Sequence, residues 1–321
     1  ARGTGFDPLL PRTRTSLRAQ IDRAEFGGRD FGGIELDAEL DSQRLSGRIS
    51  DRDEALRLLL SVSGTLTERE QRIGLSGSVF GFDLAALGVS PEPIGGSFAL
   101  DASASAAGKG AYAARIALDS IEIRNKHRTD RIRPTSVSLH TDSAATRAEA
   151  ASGDLSLTFS TPQSADSLIA ALTRSARALA GQIDAQSIDM EQLKPALPDF
   201  ALRVSAGPDN ILNSLLKSRK IAFDALNAEG ANCDSLPVSI RLRTEGLAYG
   251  NVVLDTVTAD IRQNGKRLEY ALGLANAPGN LDNIARAGLY GHLVRNTGQA
   301  NLYQRNRAGR EGFRFGLDVT W

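Results

Sequence analysis

A chain of 321 residues lies at or beyond the size at which one hydrophobic core stops growing, unless the body is elongated and repetitive. Lys plus Arg and Asp plus Glu stand at 38 each, so net charge gives no argument for a polyanionic partner such as nucleic acid. Aromatics are few and Gly reaches 31, which favours short strands and turns; the single cysteine, Cys233, excludes an intramolecular disulfide framework.

Residues 1–14, with Pro8 and Pro11, read as a connector. Ala1-Arg2-Gly3 is not an initiating sequence, no apolar leader follows it, and no apolar run reaches membrane-spanning length. The start therefore reads as an excised one, which leaves room for membrane anchors outside these residues. From Leu17 the apolar residues fall on alternate positions: Leu17, Ala19 and Ile21, then Ile34, Leu36, Ala38 and Leu40, punctuated by Gly27-Gly28 and Gly32-Gly33. Leu45 and Ile49 belong to the next strand, and Ser50 to Glu54 reads as a charged turn. Leu56, Leu58, Leu60 and Val62 follow, then Ile73, Leu75 and Val79. Asp83 to Gly88 reads as a short helical turn closed by glycine, before Pro91 and Pro93.

The clearest stretch is 96–124. Phe98, Leu100, Ala102 and Ala104 alternate, Gly108-Lys109-Gly110 turns the chain, and Tyr112, Ala114, Ile116 and Leu118 alternate on the way back. Period-two spacing on both sides of a glycine turn predicts an antiparallel hairpin with one apolar and one polar face. At Ser120 the alternation slips to Ile121 and Ile123, which predicts a bulge near Asp119-Ser120.

After Val137, Leu139, Leu155, Leu157 and Phe159 the period changes. From Ser164 to Gly181, Leu168, Ile169, Leu172, Ala176, Leu179 and Ala180 follow helical spacing, with Gly181 placed to end the helix. A second short segment, Met190 to Leu197, is broken by Pro195 and Pro198. Phe200, Leu202 and Val204 return to strand spacing. Asp209 or Asn210 then caps a short helix carrying Ile211, Leu212, Leu215 and Leu216. Strands resume with Ile221 and Phe223, then Val238, Ile240 and Leu242, then Leu268, Tyr270, Leu272 and Leu274. The series closes on Phe313, Phe315, Leu317, Val319 and Trp321. In all, sixteen to eighteen strands are expected, roughly, by the alternation rule. The domain reading is one continuous elongated body: 1–163 a β segment, 164–218 a helical insertion with one strand, and 219–321 a second β segment.

Residues that carry chemistry do not converge. Gly74-Leu75-Ser76-Gly77-Ser78 lacks the last glycine of a nucleophile elbow and sits in a strand pattern. Gly108-Lys109-Gly110 is too short for a phosphate loop. His127, His140 and His292 are far apart, so no metal site is expected. Asp51, Asp53 and Glu54 lack the further ligands of a calcium loop. These features read as strand, turn and solvated surface, and no enzyme activity, catalytic residue or cofactor is expected. Arg124, Lys126, Arg128, Arg131 and Arg133 form a basic stretch that either meets lipid head groups or is an exposed loop balanced elsewhere. Without interleaved aromatics it does not read as a nucleic-acid site. The aliphatic face admits two readings: the narrow core of a closed β-helix or sandwich, or the lining of an open groove whose occupant is hydrocarbon.

Asp83-Leu84-Ala85-Ala86-Leu87-Gly88-Val89, a proline-bearing spacer, Gly96-Ser97-Phe98 and the long alternating strands resemble the middle segment of TamB proteins, the inner-membrane-anchored component of the translocation and assembly module. These belong to the AsmA-like family, and the resemblance is best to the Bacteroides-group type. Leu17 to Asp22, Phe31 to Ile34, Ala165 to Gly181, Gly207 to Leu212 and Gly316 to Trp321 are similar to segments of that family. The resemblance is a diffuse pattern over most of the chain. It implies a mainly β fold: an elongated, curled antiparallel sheet, a β-taco or open β-solenoid groove with one or two short amphipathic helices. It also implies a periplasmic segment that holds phospholipid acyl chains for transport between inner and outer membranes and for outer-membrane protein assembly. A TamA/BamA-like outer-membrane barrel and the inner membrane would be met through regions outside this chain, the latter through an N-terminal helix.

On this reading the groove is lined by Leu36, Leu58, Leu75, Phe98, Leu100, Ile116, Leu118, Leu157, Phe159, Ile240, Leu242, Leu272, Phe315 and Leu317. Leu168, Leu172 and Leu179 belong to a lid helix, whose plainer role is a cap on the sheet's end. Arg124, Lys126, Arg128 and Arg131 contact head groups. The rival reading is a structural or adhesive β-solenoid of a secreted surface protein, with a filled interior and no lipid cargo. A carbohydrate-active β-helix is disfavoured by the low aromatic content.

Overall fold

The computed structural model describes residues 2–4, 7–22, 24–26, 29–108, 110–126, 128–217, 219–276 and 285–321. The Gly27-Gly28 pair, Lys109 and His127 lie outside them. The protein is mainly β, built of open antiparallel sheet with three helices among the described residues. It divides into two compact units, residues 1–142 with 150–153, and residues 143–149 with 154–321.

The first unit contains β1 (Arg2–Thr4), β2 (Arg14–Ile21), β3 (Ala24–Phe26), β4 (Arg29–Phe31), β5 (Ile34–Asp41) and β6 (Arg44–Arg52). It continues with β7 (Leu56–Leu66), β8 (Glu70–Asp83), β9 (Gly95–Ala107), β10 (Ala111–Arg124), β11 (Thr129–Ile132) and β12 (Thr135–Thr141). Its ladder is an antiparallel meander, β1–β2–β5–β6–β7–β8–β9–β10, while β3 and β4 pair only with each other. The far edge of β10 is shared: β12 pairs with Tyr112 to Leu118 and β11 with Ile121 to Arg124. β13 (Thr146–Ser152) straddles the division between the units.

The second unit opens with β14 (Leu155–Thr161), then α1 (Ala165–Asp184), α2 (Met190–Leu193) and a 3-10 turn over Lys194–Ala196. Next come β15 (Phe200–Ala206), α3 (Ile211–Lys217), β16 (Ile221–Ala222), β17 (Ala225–Cys233), β18 (Leu236–Tyr249) and β19 (Val252–Asn264). The unit ends with β20 (Arg267–Asn276), β21 (Arg286–Val294), β22 (Thr297–Arg305) and β23 (Glu311–Thr320). Its ladder is again a meander, β14–β15–β17–β18–β19–β20–β21–β22–β23, with β16 against the end of β18. Among the described pairings neither ladder closes on itself.

The twenty-three described strands exceed the expected number because five of them, β1, β3, β4, β11 and β16, are four residues or shorter and leave no alternation to read. The central hairpin forms as the pattern predicts, Ala107 opposite Ala111, with Gly108 and Gly110 at positive φ. The register slips between Asp119 and Glu122, where Ser120 takes φ +51°, so the loss of alternation marks a true bulge.

Two expectations are corrected. Ser50 to Glu54 is not wholly a turn: β6 runs on to Arg52, and Asp51 is buried with its carboxylate accepting the Asp53 N–H at 2.9 Å. Gly181 does not end α1; the helix continues to Asp184. Gln186, at φ +50°, donates its N–H to the Ile183 carbonyl and Ser187 donates to Gln182, a Schellman ending without glycine. Docking holds this end in place. The Gln182 amide exchanges two hydrogen bonds of 3.0 Å with the Asp189 backbone, and Ile188 bridges to Arg295.

Candidate functional site: an uncovered apolar face

Directly opposed residues in an antiparallel ladder share a face, so the register decides which side chains lie together. In the first unit one row runs Leu36, Ile49, Leu60, Gly77, Leu100 and Leu118. The next rows carry Val62, Leu75, Ala102, Ile116 and Val137, and Leu58, Val79 and Phe98. Gly77 is required where it stands: a Cβ there would collide with the Leu59 carbonyl and press on Leu60. The stretch Gly74 to Ser78 lies within β8, and its Gly77 is a close-packing position in a strand.

In the second unit Phe159 stands opposite Leu202, and Leu157 opposite Val204. A longer row runs Gly230, Ile240, Ile261, Tyr270, Gly291, Ala300 and Leu317. Beside it run Ala228, Leu242, Ala259, Leu272, Leu289, Leu302 and Phe315. All fourteen residues expected to line a groove therefore lie on the apolar face of their own unit, and none is fully buried. Ile116 is 46% exposed, Ile240 45%, Leu272 43% and Phe315 58%; Phe98 is better covered, with its ring 6.0 Å from that of Phe82. A soluble surface rarely leaves so many neighbouring aliphatic side chains in water without a binding role.

The opposite face is polar and largely neutralises itself. Arg18 pairs with Asp37 at 3.0 Å and Arg14 with Asp41 at 2.9 Å; in the second unit Arg203 pairs with Glu229 at 3.2 Å, Arg241 with Asp260 at 3.5 Å and Arg262 with Glu269 at 3.2 Å. Every one of these pairs is directly cross-strand. The Asn264 amide above all holds the Glu269 carboxyl below its usual range, opposed by desolvation and helped by Arg262. Depressions in the second unit lie on this polar side, among Arg203, Glu229, Arg241 and Asp260, where ionic walls suit hydrocarbon poorly.

The helices bury one end of the apolar face in the second unit. Met190 and Leu193 of α2 pack with Val238 of β18 in a small core, joined by Ala178, Ile188, Leu197 and Leu268. α1 rests on α2 and the 3-10 turn through its small side chains. Ala171 and Ser175 are buried, and the Ser175 hydroxyl reaches the carbonyls of Ala171 at 2.8 Å and Ala196 at 2.6 Å. Of the expected lid residues, Leu168 is half-buried, whereas Leu172 and Leu179 are exposed, along with Ile169 and Ile183. The small-residue stripe Ala171, Ser175, Ala178 permits the closer approach and wins the packed position; its helical spacing was present in the sequence but was outweighed there by the leucines. The segment as a whole caps a strand end, with Trp321 donating its indole N–H to the Gln186 carbonyl.

A polar knot lies at the other end of β14 and β15, where Asp154 precedes the one strand and Gly207 to Asn210 follow the other. The Asn210 side chain caps α3 through the Asn213 N–H at 2.9 Å and donates to Asp154 at 2.6 Å. The Asn213 amide, fully buried, bonds the Pro208 and Phe223 carbonyls. Desolvation pushes the Asp154 carboxyl up, but Asn210 and the N–H groups of Asp209 and Gly207 together outweigh it and hold it below the ordinary range.

The basic stretch is partly paired where it stands: Arg128 with Asp130 at 2.8 Å and Arg124 with Glu122 at 3.8 Å, while Lys126 and Arg131 are exposed. His140 and His292 sit on separate strands, and no group of three metal-ligating side chains occurs among the described residues. The fold and faces together define a class: an open antiparallel β protein, each unit of which carries an apolar face that is bare over much of its length. No family model, curated protein or solved structure matches this chain.

Proposed function

We propose that this chain is a segment of a TamB/AsmA-like periplasmic bridge protein whose apolar faces hold phospholipid acyl chains during transfer from inner to outer membrane. The single observation that carries the reading is the contrast between faces. Register gathers the aliphatic residues on one side and leaves Ile116, Ile240, Leu272 and Phe315 about half exposed, while the other side is closed by cross-strand ion pairs. Each methylene removed from water contributes about 0.8 kcal/mol, so an acyl chain lying across several rows is held firmly. The contact is non-directional, because no hydrogen bond fixes its position, and the chain slides between rows with little barrier. Nothing in such a mechanism calls for a catalytic residue. Arg131 and Lys126, exposed near the end of β10, supply cationic contacts for phosphate head groups.

The adhesive-solenoid alternative requires a filled apolar interior, which the half-exposed rows disfavour. A photo-crosslinking amino acid placed in turn at Ile116, Ile240 and Leu272, and at Arg241 on the opposite face, tests the proposal in a Gram-negative periplasm. Capture of phospholipid from the first three positions and not from Arg241 is the expected result. Equal capture from both faces, or none from either, removes the lipid reading.

A further inference from the structure

Two segments of the second unit meet at the end of β18 that lies away from α2. Ile221 and Ala222 of β16 stand opposite Tyr249 and Ala248, and Gly250-Asn251 turns β18 into β19, with Gly250 at φ +59°. The Gly250 N–H donates to the Lys220 carbonyl at 2.9 Å, and the Lys220 N–H donates to the Lys217 carbonyl at 3.1 Å. The basic turn that follows α3 is thereby stitched to the hairpin. The tip itself is apolar and bare: Tyr249 is 67% exposed and Val252 51%, and Val253 and, on α3 beside β16, Leu215 are exposed as well. Lys217, Arg219 and Lys220 are exposed around it, whereas residues 210–223 and 246–254 contain no acid. Two of the flanking acids are engaged behind the turn: Glu245 pairs with Arg243 at 2.8 Å, and the Asp224 carboxyl lies against Gly246.

We propose that this hairpin tip docks on an anionic phospholipid surface. Val252 and Val253 enter the boundary between head groups and acyl chains, where aliphatic side chains leave water. Tyr249 lies at head-group depth, its ring among apolar groups and its hydroxyl in water. Lys217, Arg219 and Lys220 meet lipid phosphates, and with no acid among them their charges act together. At about 3.3 Å of rise per residue the stretch from Gly250 to Val253 spans about 10 Å, the depth that an interfacial segment reaches. An acidic protein would answer the three cations but would leave the bare tyrosine and valines without a role. The docking rests on the tip and not on the acyl-chain reading, since Leu272 and its row lie on the sheet face, outside both segments.

Flotation of the chain with lipid vesicles tests the inference. Binding to vesicles of phosphatidylglycerol and phosphatidylcholine in equal parts should exceed binding to phosphatidylcholine alone, and should weaken as salt rises. Lys217→Gln together with Lys220→Gln should lower affinity for the anionic vesicles about 25-fold. Tyr249→Ser together with Val252→Ser should lower it about tenfold. All four side chains are exposed, so the urea melt should not move. Leu272→Asp should bind the vesicles as wild type does, which separates docking from acyl-chain occupancy. A wild-type chain that ignores anionic vesicles overturns the proposal. So does binding that the Tyr249→Ser, Val252→Ser variant leaves unchanged, since charge attraction alone would serve an acidic protein equally. Binding that Leu272→Asp abolishes while both tip variants retain it belongs to the sheet face and overturns it too.

Discussion

Val238 and Ile240 stand two residues apart on the same face of β18, yet Val238 is 8% exposed and Ile240 45%. The difference comes from what lies above them. α2 sets Met190 and Leu193 over Val238, and this cluster does not reach Ile240; the face is covered again at Thr244, which is 6% exposed. Cover is thus brought to the two ends of the face, at Val238 and again at Ala206 and Thr244, and withheld from the stretch between them. Alternation makes every strand amphipathic, but a covering element at each row decides whether that face becomes core or remains a surface for something else.

The sharpest way to break the comparison is to strip the covered end. Leu193→Ala should cost about 3 kcal/mol of the second unit's stability in a urea melt, by loss of burial plus a cavity, whereas Ile240→Ala should cost less than about 1 kcal/mol. Equal losses would mean that the two positions are packed alike. Next in size is Asn213→Ala, which removes a fully buried amide from the carbonyls of Pro208 and Phe223 and should cost about 2 kcal/mol, read in the same melt.

Acid sensitivity follows from Asp154. Its carboxyl is held low in the folded chain, so its contribution is complete above the ordinary carboxylate pKa of about 4 and disappears as pH falls through the lower folded value. Thermal melts at descending pH should show stability falling below about pH 4, and Asp154→Asn should flatten that dependence. The smallest effect belongs to the polar face. Arg241→Ala should change stability by no more than about 0.5 kcal/mol, because its ion pair with Asp260 is solvent-exposed.

Much of this was legible in the sequence where one physical signal acted alone. Period-two spacing located the central hairpin, and the slip at Ser120 located its bulge, because a bulge is a local departure from that period. The same spacing placed Leu36, Ile116, Leu272 and Phe315 on the apolar faces before any register was known. Legibility ended where signals competed. On α1 the leucine stripe and the Ala171, Ser175, Ala178 stripe share one helix, and steric closeness to the 3-10 turn chose the smaller residues. Gly181 looked like a terminator, yet the end was set beyond it, at Asp184, by contacts of Gln182 and Ile188 with supports that lie further along the chain. The buried amide of Asn213 had no sequence signal beyond a polar residue in a short helix, since its partners are backbone groups of another segment.

The central claim is that the bare apolar faces are occupied by fatty acyl chains. Native mass spectrometry of the gently extracted chain, beside Ile116→Asp in the first unit and Leu272→Asp in the second, tests it most directly. The account predicts co-purifying phospholipid on the wild-type chain and reduced occupancy in each variant, with the fold retained. A wild-type chain that repeatedly carries none, or variants that load as fully as wild type, would contradict it.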